Sequence, residues 1–249
     1  MFGREEKLFK QISDALNSGG HPTFRYDKRG VTNSQGQVDP AIWETADRVH
    51  LIQDAVDAAK TLLRSTSSEA KDLIVLGHSK GTILAVETAI ALGGQVRGLI
   101  LLGAQARSMK DMLRYQVLES RSLQSSGVGS EEPPEREFEK IVRMIESSRD
   151  KFAPDGKPME WYRQHLAAPA NADRLRLVNA KVAVFQGKVD PQTPIDELQL
   201  LTKAGRKDLM IFQYEGLGHG FSPDKNGQPT LGPIEDSVIT DIVNTAARF

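Results

Sequence analysis

Leu73-Ile74-Val75-Leu76-Gly77-His78-Ser79-Lys80-Gly81 decides the architecture of this chain. Four consecutive apolar residues are the signature of a strand buried on both faces, which is the condition of a parallel sheet. The pattern Gly-x-Ser-x-Gly follows at once, and an apolar-periodic helix is expected over residues 80–92. Glycines on either side of a serine leave room for a sharp, strained strand-to-helix turn. Such a turn lifts the Ser79 hydroxyl off the carboxyl edge of the sheet and aims the next peptide N–H, that of Lys80, at a developing negative oxygen.

Working outward, three more buried-strand runs appear: Leu99–Leu102, Val182–Phe185 and Leu209–Phe212. Before them, residues 22–27 are extended by composition and end in a glycine-containing turn at Lys28-Arg29-Gly30, giving a fifth strand candidate. Helices are expected over 4–18, where Leu8, Phe9, Ile12 and Leu16 recur at helical spacing. Val49, Ile52, Val56, Ala59 and Leu63 place a long helix over about 41–65 with one apolar face. Further helices are expected near 108–123, 135–148, 159–166, 195–202 and 235–247. Strands alternate with helices, so the fold class is α/β with a mostly parallel sheet flanked by helices.

The stretch 104–178 far exceeds an ordinary connection between a helix and a strand. It is read as a helical insertion interrupting a core made of residues 1–103 and 179–249, with residues 125–134 as a linker by composition. Met159, Trp161 and Tyr162 are candidate pocket-lining residues of that insertion, although their helical spacing equally suits packing within it.

Composition narrows the chemistry. The chain has 249 residues and no cysteine, which excludes disulfides, thiolate metal sites and a cysteine nucleophile. Lys and Arg number 32 against 33 Asp and Glu, and no block of one sign offers a footprint for nucleic acid. No apolar run is long enough to span a bilayer, and Met1-Phe2-Gly3-Arg4 lacks the apolar stretch of a signal peptide, so the chain as given is expected to be cytoplasmic. Nothing in the sequence bears on oligomeric state.

A serine nucleophile needs a base, and five histidines are available: His21, His50, His78, His165 and His219. His219 alone lies in a glycine-rich loop, Gly216-Leu217-Gly218-His219-Gly220, just past the last strand run and at the sheet edge where Ser79 lies. The other four are expected to serve packing, surface or turn roles, His78 because no direction from it toward the serine is evident. The imidazole needs a carboxylate to orient it. Asp190, after the third buried run, fits, with Glu215 and Asp224 as rivals on the histidine's own loop. The catalytic set is therefore Ser79, Asp190 and His219, with the Lys80 N–H as an oxyanion donor. No cofactor or metal is required. A Ser79–Lys80 dyad is disfavoured, since adjacent residues at such a turn project in different directions.

The order Ser79, Asp190, His219, together with Arg25-Tyr26-Asp27-Lys28-Arg29-Gly30 and Leu76–Gly81, resembles the α/β-hydrolase superfamily from about residue 8 onward. More narrowly, it resembles bacterial carboxylesterases grouped with dienelactone hydrolases and serine-aminopeptidase-type hydrolases. The resemblance implies a serine esterase acting on small-molecule esters, a helical cap over 104–178, and a structural turn at Asp27–Gly30. Thioesterase or lactone hydrolase activity would use the same residues, and a non-catalytic hydrolase-fold binding protein is the rival outside enzymes. Two features depart from the pattern. Thr32 stands where relatives often carry the second glycine of Gly-x-Gly-x-Ser, and the strands that precede the first helix in relatives, including the one leading to the second oxyanion donor, are missing. Either the 22–27 strand pairs directly with the 72–77 strand, or the chain is an N-terminally truncated form of a longer protein. The second reading is preferred because unpaired buried backbone is rarely tolerated. It would impair activity and would also have removed any signal peptide.

Overall fold

The computed structural model describes residues 8–33, 35–65, 73–124, 133–203, 206, 208–223 and 232–249. The chain divides into two compact units, one of residues 1–26, 55–106 and 171–249 and the other of 27–54 and 107–170.

The first unit carries a four-stranded sheet, β1 (Leu73–His78), β2 (Val96–Leu102), β3 (Lys181–Gly187) and β4 (Leu209–Tyr214), in the order β1-β2-β3-β4 with every pair parallel. The α/β class with a parallel sheet expected from the sequence is thus present, and all four apolar runs are strands. Leu99, Leu101, Val182 and Val184 are fully buried, as are Leu102 and Phe185. This two-sided burial explains why the runs are continuous rather than alternating.

Neighbouring residues of a strand face opposite sides, which separates two helical layers. Ile74, Leu76, Ile100, Leu102, Ala183 and Phe185 pack with Ile12 and Leu16 of α1 (Leu8–Ser18) and with Val238, Ile242 and Ala246 of α10 (Asp236–Arg248). Gly77 points the other way, onto α4 (Gly81–Leu92). A Cβ there would overlap the Gly81 carbonyl and crowd the Ala85 methyl group, so only glycine admits α4 this close. Arg174 of α8 (Asn171–Leu175) grips Glu87 of α4 through two hydrogen bonds of 3.0 and 2.7 Å. At the far end of β2, the Phe249 ring lies where a Gly98 side chain would otherwise be.

The second unit holds α2 (Pro40–Trp43), the start of α3 (Arg48–Ser65), α5 (Met109–Gln124), α6 (Pro134–Ser147) and α7 (Met159–Ala167). Trp43 Nε1 donates to the Gly156 carbonyl at 2.8 Å, and the Val49 N–H donates to Gln164 Oε1 at 2.9 Å, tying residues 27–54 to residues 107–170 within this unit. Arg29, in the turn after Asp27, forms a forked pair with Asp54 of α3 and reaches Thr45 Oγ1.

Two expectations are corrected. Residues 22–27 form no strand and do not pair with β1; Phe24 and Tyr26 are half exposed and stack on each other instead. Their alternating composition suits a strand, but no partner ladder reaches them. The single helix over 41–65 is two helices, because Asp39 caps α2 by accepting the Ala41 N–H and Asp47 accepts the His50 N–H at the start of α3. Val49 consequently faces outward, 58% exposed, while Leu51, Val56 and Ala59 carry the buried face. The first seven residues of the chain and most of the expected linker, residues 125–132, lie outside the described residues.

Candidate active site

β1 delivers Ser79. The residue has φ of 56°, a left-handed conformation that costs a non-glycine residue energy and marks a locally over-determined backbone. Ser79 is pinned on both sides of that strain: its N–H donates to the Leu102 carbonyl at 2.9 Å, and its carbonyl accepts the Thr82 N–H and hydroxyl. The turn therefore enters α4 directly, and Lys80, exposed, is the residue just before the helix.

β3 delivers Asp190. Its Oδ1 accepts the N–H groups of Gln192 and Thr193 at 2.8 and 3.0 Å, which closes the loop back on the carboxylate. Its Oδ2 lies 2.8 Å from His219 Nδ1 and 3.3 Å from Gln186 Nε2. Both residues are buried, at 5% and 6% exposure. A carboxylate accepts only, so the imidazole donates from Nδ1, which leaves Nε2 as the basic nitrogen.

β4 delivers His219 through a loop pressed against the end of β3. A Cβ on Gly187 would overlap the Leu217 carbonyl oxygen, and Val189 N–H donates to that same oxygen at 3.2 Å. The loop contains the second strained non-glycine residue, Phe221, with φ of 57°. Among the described residues, Ser79 and Phe221 are the only two of that kind, and both belong to this edge of the sheet.

Gly103 joins the three contributions. It follows Leu102, whose carbonyl holds Ser79, and a Cβ built on it would stand 3.5 Å from His219 Cε1 and 3.6 Å from Asp190 Oδ2. The structure thus joins Asp190 to His219 by a hydrogen bond and brings Ser79 to the same edge. The Ser79 hydroxyl makes no hydrogen bond to His219 in this structure.

The rival residues go elsewhere. Glu215 is exposed and bonds Lys188 Nζ at 2.5 Å, while Asp224 lies outside the described residues. His50 pairs with Asp47, and His165 is buried against the Trp161 ring with centroids 4.1 Å apart. Met159 and Trp161 are buried, and the Tyr162 hydroxyl donates to Asp155 at 2.6 Å. Sequence reasoning missed His78. Its ring Nε2 lies 2.8 Å from the His219 carbonyl, and burial, with His219 second, lowers its pKa from 6.5 to about 4. The available signal was its place at the end of a buried strand, from which a side chain must point into one helical layer.

Among the described residues, no helix is long and apolar enough to cross a membrane, and no three His, Asp or Glu side chains cluster as a metal site would require.

The family model described as "Serine aminopeptidase, S33" matches residues 2–226. No curated protein matches the chain. Among solved structures, the chain is similar to the ferulic-acid complex of Est1E from Butyrivibrio proteoclasticus, with TM-score 0.66 and 16% identity, covering 99% of this chain and 84% of that one. It is also similar to an esterase from Exiguobacterium antarcticum, with TM-score 0.59 and 15% identity over 96% of this chain and 87% of that one. A monoacylglycerol lipase from Paleococcus ferrophilus gives TM-score 0.56 and 16% identity over 96% and 88%. At such identities the structural likeness speaks to the fold alone. With a family model running through nearly the whole chain, and a parallel sheet presenting a strained serine turn, the chain belongs to the serine aminopeptidase-type family of α/β hydrolases.

Proposed function

We propose that this protein is a serine hydrolase that cleaves carboxylic esters of small or medium acyl groups through an acyl-enzyme. The observation that carries the reading is the buried Asp190–His219 hydrogen bond at the edge that also bears the strained Ser79. In this reading His219 Nε2 takes the Ser79 proton as Oγ attacks the ester carbonyl. Asp190 keeps the proton of His219 on Nδ1 and stabilises the imidazolium. The Lys80 N–H donates to the tetrahedral oxyanion. Collapse of that intermediate expels the alcohol, which receives the proton from His219. A water then gives a proton to His219 as it attacks the acyl carbonyl, and collapse of the second tetrahedral intermediate releases the acid while His219 returns that proton to Ser79 Oγ.

The family assignment and the similarity to structures described as esterases and a lipase support an ester substrate. In this assignment residues 1–103 and 179–249 form the hydrolase core and 104–178 a helical insertion. Thioesters and lactones demand the same three residues, so comparing kcat/KM on matched oxygen and sulfur esters ranks the substrate classes.

The test is hydrolysis of p-nitrophenyl acetate together with labelling by a fluorophosphonate probe. Turnover and labelling are expected in the wild type, with both lost in Ser79→Ala and turnover lost in His219→Ala. A well-folded wild type with neither activity nor labelling would favour the hydrolase-fold binding protein. Labelling that survives Ser79→Ala would refute the assignment of the nucleophile.

A further inference from the structure

Position 78 is the first unspecified residue of Gly-x-Ser-x-Gly, and the chemistry above gives it nothing to do. Its surroundings are nonetheless specific. His78 pairs with Leu102 at the end of β1, so its side chain enters the layer shared with α1 and α10. There its ring centroid stands 4.7 Å from that of His219, 6.3 Å from Phe221 and 6.4 Å from Phe9. The polar tie it makes is the 2.8 Å contact from Nε2 to the His219 carbonyl oxygen. A carbonyl oxygen only accepts, so His78 Nε2 must carry a hydrogen and donate it.

That bond acts on the backbone of the catalytic base itself. The loop it reaches is strained at Phe221, and such strain persists only where neighbouring contacts over-determine the backbone. The other ties of the loop fall on either side of His219. Phe221 N–H donates to the Gly218 carbonyl at 3.1 Å, and Glu235 N–H donates to the Phe221 carbonyl at 2.9 Å. Among the described residues, only His78 holds residue 219 from the strand that bears the nucleophile.

We infer that His78 is a positioning residue which, by donating from Nε2 to the His219 carbonyl, fixes where the catalytic imidazole stands relative to the Ser79 turn. The inference rests on the hydrolase reading above. The role requires a neutral ring. Of the groups packed around His78, Phe9 and Phe221 are uncharged, His219 becomes a cation during the reaction, and Asp190 offers its negative charge on the other side of His219. A second cation 4.7 Å from the imidazolium would oppose the charge that the mechanism must build. Burial keeps His78 deprotonated down to about pH 4, which removes that conflict across the neutral range.

The test separates the hydrogen bond from the packing. His78→Phe keeps a ring and loses the donor, whereas His78→Gln loses the ring and keeps an N–H donor. With p-nitrophenyl acetate, His78→Phe is expected to lower kcat about ten- to a hundredfold with KM nearly unchanged, the scale of one hydrogen bond misaligning a base. His78→Gln is expected to recover most of that loss. In parallel, the His219 ring signals followed by NMR through a pH titration should move in His78→Phe and stay near wild type in His78→Gln. Should His78→Phe fail to fold, His78→Met carries the same comparison. Wild-type kcat in His78→Phe with unmoved His219 signals would overturn the inference, as would equal losses in the Phe and Gln variants. A wild type without turnover would count against the hydrolase reading instead, and the NMR titration would still decide whether His78 positions His219.

Discussion

Asp190 engages both of its carboxylate oxygens, one on the backbone of its own loop and one on the imidazole. Asp190→Asn preserves the loop contacts to Oδ1 but places an amide group opposite His219, which then stabilises the wrong tautomer. A fall in kcat on the order of 10⁴-fold is expected, measured with a chromogenic ester, with the melting temperature close to wild type. His78 gives a separate prediction about stability. Its folded pKa, near 4, lies below its ordinary 6.5. Between those values the unfolded chain binds a proton that the folded chain refuses, so this residue makes stability fall as pH drops from about 6.5 toward 4 and contributes no slope above that window. Thermal melts across pH 4–7 should show that slope in the wild type and a flatter one in His78→Gln.

Arg206 shows how an element is held by a side chain from elsewhere in the sequence. Its guanidinium donates to the carbonyls of Leu175, Val178 and Ala180, the groups that end α8 and lead into β3. A lysine cannot span three acceptors with one ammonium, so Arg206→Lys is expected to cost about 1–3 kcal/mol in urea unfolding without altering KM. No sequence pattern announces this clamp, because its acceptors are backbone atoms and carry no residue signature. The same asymmetry governs the elements themselves. Leu73–Leu76, Leu99–Leu102, Val182–Phe185 and Leu209–Phe212 were legible because two-sided burial writes an apolar run into the chain. Residues 22–27 were not, since alternation describes what a segment can do and says nothing of whether a partner strand stands beside it. The break between α2 and α3 was carried by Asp39 and Asp47, whose capping role emerges only once their carboxylates are seen on the N–H groups they accept. In the candidate site, the pairing of Asp190 with His219 was legible from their places after strand runs. His78 was passed over because its partner is a backbone oxygen 141 residues away in sequence.

At the scale of the molecule, β1 occupies one end of the sheet, and among the described residues no strand lies on its outer side. Its residues are mostly half-buried, whereas all but one residue of each of β2 and β3 are buried. Native-state hydrogen exchange should find the outward-directed amides of β1 exchanging orders of magnitude faster than those of β2 and β3. Equal protection across the three strands would mean that another segment covers that edge in solution. The opposite layer is closed last in chain order. Val238, Ile242 and Ala246 of α10 cover the sheet, and the Phe249 ring fills the space left by Gly98. A nonsense codon between His219 and Asp236 would therefore leave Ser79, Asp190 and His219 encoded and the greasy side of the sheet uncovered, so the expected product is an insoluble polypeptide rather than a slightly shortened enzyme.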